Sequence, residues 1–145
     1  MPIVKYFDFE CRVRYGETDK MGISYYANYF VWFEAARSEY FRTIGLPYTD
    51  CEEKGYFLPV VETGAKYLAP STYDDLLVVR TSVAELKQSA IRFEYQIFKK
   101  ADQAKAYPIL CHGFSVHVFV DRNMRPCRMP EEIRKIVTVH KLLTK

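Results

Sequence analysis

With 145 residues, 49% of them hydrophobic and 27% charged, the chain can bury roughly two thirds of its unfolded surface in a single domain. Its 21 basic and 18 acidic residues are mixed along the sequence to a net charge of +3, which argues against a nucleic-acid-binding block or a membrane-seeking basic helix. No apolar run is long enough to span a bilayer, and the opening MPIVKYFDFE carries acids without a signal-peptide core, so a mature cytoplasmic chain with no nucleic-acid or membrane partner is expected.

Tyr6 to Tyr15 alternates apolar and polar residues, with Phe7, Phe9, Cys11 and Val13 on one side, and predicts a first strand. After the turn-like ETDKMG, Asn28 to Ile44 reads as a helix that Gly45 caps and Pro47 follows. Its first half is apolar nearly all round, so burial on most sides is expected there, with Glu34, Arg37, Ser38, Glu39 and Arg42 populating the later part. Four strands follow, Phe57 to Leu68, Leu76 to Leu86, Ile91 to Lys99 and Ala106 to Val120, separated by turn signals at Pro70, Asp74, Asp102 and Asp121. Ile91, Phe93, Tyr95 and Ile97 share one face of the third of these. Pro130 opens a short C-terminal helix with Glu131 and Glu132 at its start and lysines near its end.

One strand, a long helix and four strands is an α+β order with an antiparallel sheet lying on the helix. Aromatic residues make up 16% of the chain, a density that suits a Tyr-rich core, ligand walls or an interface between copies, and a homo-oligomer is expected.

Cys11, Cys51, Cys111 and Cys127 have no CxxC and no zinc-like spacing to His112, His117 or His140, so free thiols and no metal site are expected. Cys111 and His112, adjacent in a strand, would point to opposite faces and cannot form a catalytic pair.

YGETDKMGISYYANYFVWFEAARSEYF, Tyr15 to Phe41, combines an acid pair as D/E-x-D, a Gly, a Tyr, Asn-Tyr and an aromatic helix. Together with Lys66 to Val83 (KYLAPSTYDDLLVVRTSV) and Gly113 to Pro130 (GFSVHVFVDRNMRPCRMP) it resembles the hot-dog-fold acyl-CoA thioesterases, in the branch of 4-hydroxybenzoyl-CoA thioesterase. The resemblance implies a five-stranded antiparallel sheet wrapped around one long central helix, with a short C-terminal helix, in a dimer or dimer of dimers (a homotetramer) without cofactor. It implies an acyl-CoA substrate, Asp19 as catalytic carboxylate, and the backbone N–H of Tyr26 as the group that polarises the thioester carbonyl. Glu34 stands where that enzyme has an Asp reaching the distal end of the substrate in the partner subunit. CoA phosphates are expected near Lys87, Ser89 and Arg92, with Lys66, Arg125 and Arg128 as alternatives.

The chemistry fits these residue types. A carboxylate can act as base to water or as nucleophile through an anhydride. A helix N-terminus offers free N–H groups to the developing oxyanion. Tyr25, Tyr29, Phe30 and Trp32 can wall the acyl group. Each residue also has a plainer role: Asp19 closing a turn, Glu17 a solvated loop acid, Asn28 an N-cap, Glu34 a partner of Arg37 or Ser38. A hot-dog hydratase or dehydratase, or a non-catalytic acyl-thioester-binding module, are the other functions open to this sequence.

Overall fold

The computed structural model describes residues 6–46, 48–100 and 108–143. The Pro47 and Asp102 signals and the Ala106 start of the last strand lie outside the described residues.

The elements run β1 (Phe7–Arg12), a 3₁₀ turn (Tyr15–Glu17), α1 (Asn28–Thr43), α2 (Tyr48–Glu53), β2 (Val60–Tyr67), β3 (Leu76–Leu86), β4 (Ala90–Lys99), β5 (Ile109–Val118) and α3 (Glu131–Leu143). The strands form one five-stranded sheet in the order β1-β3-β4-β5-β2 with every pairing antiparallel. β1 is shorter than the Tyr6 to Tyr15 expected, because the chain leaves the sheet into the 3₁₀ turn; β2 is trimmed at both ends and β5 at its C-terminal end. α2 was not expected. It is a six-residue helix, too short to carry a periodic signal of its own.

The expected face of β4 holds: Ile91, Phe93, Tyr95 and Ile97 are buried, as are Leu77, Val79, Thr81 and Val83 on β3. α1 lies across them. Its buried residues Tyr29, Trp32, Phe33, Ala36, Arg37, Tyr40 and Phe41 recur at helical spacing and form one stripe. Burial on most sides does not occur: Val31 is 53% exposed and Glu34 is exposed, because the sheet curls around one side of the helix only. This is the hot-dog arrangement.

Phe33 stacks on Tyr95 with centroids 4.4 Å apart and planes 8° apart, and burying such a ring contributes about 2 to 3 kcal/mol. The contact requires Gly113 on β5, since a Cβ there would lie 2.7 Å from the Phe33 ring and 2.7 Å from the Gly64 carbonyl oxygen. Tyr40 and Phe41 meet Phe93 edge-on, at 6.0 and 5.6 Å. Gly45, at φ +89°, ends α1 as expected, with Leu46 N–H returning to the Phe41 carbonyl at 2.8 Å.

Arg37, expected on the polar part of α1, is buried instead. It donates to the Tyr95 hydroxyl at 3.0 Å, and the chain continues to Ser115 Oγ at 2.6 Å and His117 Nε2 at 2.8 Å. His117 Nδ1 faces the Leu58 carbonyl at 3.0 Å, so Nδ1 carries the proton and Nε2 accepts from Ser115. Burial, above all, pushes the His117 imidazole down to about 4, with the Arg37 charge acting in the same sense.

Candidate active site

The segment from Arg14 to Asn28 is organised around Glu17, which is buried at 8% exposure and is no solvated bystander. Its carboxylate accepts from the Arg14 N–H at 2.8 Å, the Arg14 guanidinium at 3.2 Å and Trp32 Nε1 at 3.2 Å. Burial alone would raise its pKa; these hydrogen bonds and the Arg14 charge outweigh it and leave the group below its ordinary value. The Glu17 carbonyl accepts from Tyr25 N–H and from Asn28 Nδ2, both at 2.8 Å. Loop and helix start are thereby fixed to each other. Asn28 is not the N-cap, a position Ala27 takes without a side-chain bond.

Asp19 sits at the head of the turn that follows. Its N–H donates to the Ile23 carbonyl at 2.8 Å, its carbonyl accepts from Gly22 N–H at 2.9 Å, and its Oδ1 accepts from Met21 N–H at 2.9 Å. Gly22 supplies the left-handed conformation at φ +86°. The half-buried carboxylate keeps Oδ2 without a hydrogen bond among the described residues. Its charge reaches Tyr25, whose phenol is raised first by a hydrogen bond with the Tyr26 hydroxyl and further by Asp19.

α1 opens with tight turns: Asn28 N–H to Tyr25 carbonyl at 3.0 Å, Tyr29 to Tyr26 at 3.2 Å and Phe30 to Ala27 at 3.2 Å. The N–H groups of Tyr26 and Ala27 have no acceptor among the described residues. Both stand at the positive end of the helix dipole. From β2, Tyr67 donates its hydroxyl to the Tyr26 carbonyl at 3.0 Å and sets its ring edge-on to Tyr29 at 5.1 Å. Between these residues opens a cavity of about 350 Å³, walled by Tyr26, Tyr29 and Tyr67 with Ile23, Ser24, Leu68, Ala69 and Pro70. Tyr25 stands outside it, exposed and tilted against Tyr26 at 4.9 Å.

The other expected residues scatter. Glu34 is exposed and forms no ion pair among the described residues, so the proposed pairing with Arg37 is absent. Lys87 lines an open cavity of about 810 Å³ with Gln88, Arg128 and Arg134, at the start of α3. Ser89 holds the next strand end through its carbonyl, which accepts from Phe119 N–H at 2.9 Å. Arg92 belongs to a separate groove on the outer sheet face, with its guanidinium 4.1 Å from the Phe114 ring centroid and 3.3 Å from Glu94. Cys111 and His112 point to opposite faces as expected, one buried and one exposed, and burial pushes the Cys111 thiol up to about 12, which leaves it a poor nucleophile. No helix among the described residues is long and apolar enough to cross a membrane.

Residues 13–137 match the model of the thioesterase-like superfamily. The acyl-CoA thioesterase YbgC of Haemophilus influenzae is 39% identical over 131 residues, covering 88% of this chain and 91% of that protein. The crystal structure of TT1821 from Thermus thermophilus superposes with a TM-score of 0.84 at 35% identity, covering 92% of this chain and 96% of that one. The gentisyl-coenzyme A thioesterase BH1999 superposes with a TM-score of 0.79 at 26% identity, covering 88% and 99%. With the match spanning α1, strands β2 to β5 and the first half of α3, this chain is a hot-dog-fold member of the thioesterase-like superfamily.

Proposed function

We propose that the protein hydrolyses an acyl-CoA thioester to the free acid and CoA at the start of α1. The observation that carries this reading is the placement of two unspent N–H groups, Tyr26 and Ala27, beside a cavity with apolar walls and next to the turn that holds Asp19. The thioester carbonyl accepts from Tyr26 N–H, which stabilises the oxyanion as attack proceeds. Asp19, through the oxygen that the turn leaves free, either takes a proton from the attacking water or attacks the carbonyl carbon itself. In the first route water oxygen bonds to the acyl carbon as the C–S bond breaks; in the second a mixed anhydride forms and water then cleaves it. The thiolate leaves as CoA and needs no acid of raised pKa.

On this reading Tyr29 walls the acyl group, while Tyr25 and Asn28 hold the entrance and Glu34, on the solvent side of α1, reaches the distal end of the substrate held by a partner subunit. The CoA phosphates lie along the β3–β4 turn at Lys87 and Ser89, where Arg128 and Arg134 add positive charge. Arg92 is the least favoured of the three, since it is already stacked and paired in a different groove. A homodimer or dimer of dimers is part of the proposal: β2 is an edge strand whose Val60, Val61, Tyr67 and neighbouring Leu68 are 42% to 58% exposed, and a second copy would cover them. The free thiols suit a reducing, cytoplasmic setting.

Thiol release from a panel of acyl-CoAs, short, long and aromatic, tests the activity. Turnover of at least one member supports it. Thermal stabilisation by acyl-CoA with no release from any member would leave only a binding module.

A further inference from the structure

We propose that the cavity at the start of α1 is built for an acyl group that carries its own hydrogen-bond-accepting oxygen, with Ser24, Ser71 and Tyr29 as the residues that select it; this rests on the thioesterase reading of the site.

Three hydroxyls form a chain behind and along the cavity wall. Ser71 Oγ lies 2.6 Å from Ser24 Oγ and 2.9 Å from the Tyr29 hydroxyl. All three residues are buried, Ser71 at 1%, Tyr29 at 3% and Ser24 at 5% exposure. Ser24 and Tyr29, the two ends, line the cavity, whereas Ser71, the link, does not. Burial raises the Tyr29 phenol above its ordinary range, so it keeps its hydrogen at neutral pH.

Each hydroxyl brings one hydrogen and the chain uses two of them in its own bonds. If Ser24 donates to Ser71 and Ser71 to Tyr29, the phenol hydrogen is left over; in the reverse direction the Ser24 hydrogen is. If both ends donate to Ser71, its own hydrogen is stranded behind the wall with no further acceptor among the described residues, which makes this the costliest of the three arrangements. Neither terminal hydroxyl has a further acceptor for its hydrogen among the described residues. One donor is therefore left at an end of the chain, on a residue of the cavity wall. Of the remaining wall residues, Ile23, Leu68, Ala69 and Pro70 carry no side-chain acceptor, and only Tyr26 and Tyr67 bring further hydroxyls, the latter already donating to the Tyr26 carbonyl. A plain alkyl group would bury that donor unpaired, and a site of this kind discriminates strongly against an analogue lacking the matching oxygen. Because the chain can reverse, the oxygen can sit at either end of the cavity.

The test compares 3-hydroxybutyryl-CoA with isovaleryl-CoA, the same shape with methyl in place of hydroxyl, by thiol release. The wild-type protein is expected to favour the hydroxylated substrate about ten-fold or more in kcat/KM. Ser24→Ala and Ser71→Ala are expected to bring the ratio close to one. Ser24→Ala, at the cavity wall, carries the test should Ser71→Ala fail to fold. A purely structural role would slow both substrates together and leave the ratio where it was. A wild-type ratio near one or below, hydrolysis confined to plain acyl chains, or a ratio unchanged in the variants overturns the proposal while the thioesterase reading stands. Absence of thiol release from every acyl-CoA removes that reading itself, a result distinct from all of these.

Discussion

The indole nitrogen of Trp32, in the second turn of α1, donates to the carboxylate of Glu17 across 3.2 Å, joining the helix to the loop that presents Asp19. Removing the acid leaves the buried Trp32 indole and the Arg14 N–H without their acceptor, while the exposed Arg14 guanidinium turns to water. Glu17→Ala is expected to cost about 2 to 3 kcal/mol of stability and to lower turnover through the loosened loop. Urea unfolding and thiol release measure the two effects; a variant as stable as the wild type would show that the carboxylate does not hold this junction.

Gly113 makes a separate prediction about the helix–sheet contact. A methyl group at that position would meet the Gly64 carbonyl oxygen and the Phe33 ring, each at 2.7 Å. Neither neighbour can yield easily, one being backbone and the other a ring stacked on Tyr95. Gly113→Ala is expected to cost about 3 kcal/mol, read as a lowered thermal midpoint. Unchanged stability would contradict the packing described here.

His117 gives the stability a pH dependence. Its imidazole is held at about 4 in the folded chain against an ordinary 6.5, so the unfolded chain binds more protons between those values. The stabilisation is complete above pH 6.5 and is lost as the pH falls from there towards 4, on the order of 3 kcal/mol in all. The Glu17 carboxylate, lowered from 4.5, loses its contribution only below that value, so the interval from pH 5 to 6.5 reports on the histidine. Urea midpoints across that interval should fall in the wild type and flatten in His117→Gln; parallel slopes would exclude His117 as the source.

Much of this was legible in the sequence where a local rule governs. The alternation around Phe93 fixed a face of β4, Gly45 marked the end of α1, and ETDKMG ahead of the aromatic block marked the turn at Asp19 and the helix that follows it. What escaped depends on contacts between distant residues. Glu17 and Trp32 are fifteen residues apart, Ser24 and Ser71 forty-seven, Arg37 and Tyr95 fifty-eight. No periodicity marks an acid that an indole will shield, or a serine that sits behind a cavity wall. Arg37 was misplaced because charge outweighed helical spacing in the reading, whereas its position between Phe33 and Phe41 put it on the buried stripe.

The role of Asp19 is the centre of the proposed chemistry, and Asp19→Asn isolates it. The amide oxygen of asparagine can still accept from Met21 N–H, so the turn is retained while the negative charge is lost. The measurement is kcat for thiol release by this variant on the best acyl-CoA of the panel, with its thermal midpoint as the check on folding. A loss of about 10² to 10⁴-fold with the midpoint within a few degrees of the wild type is expected of a base or nucleophile. Undiminished turnover in a folded Asp19→Asn variant would contradict the mechanism and leave Asp19 as a turn residue alone.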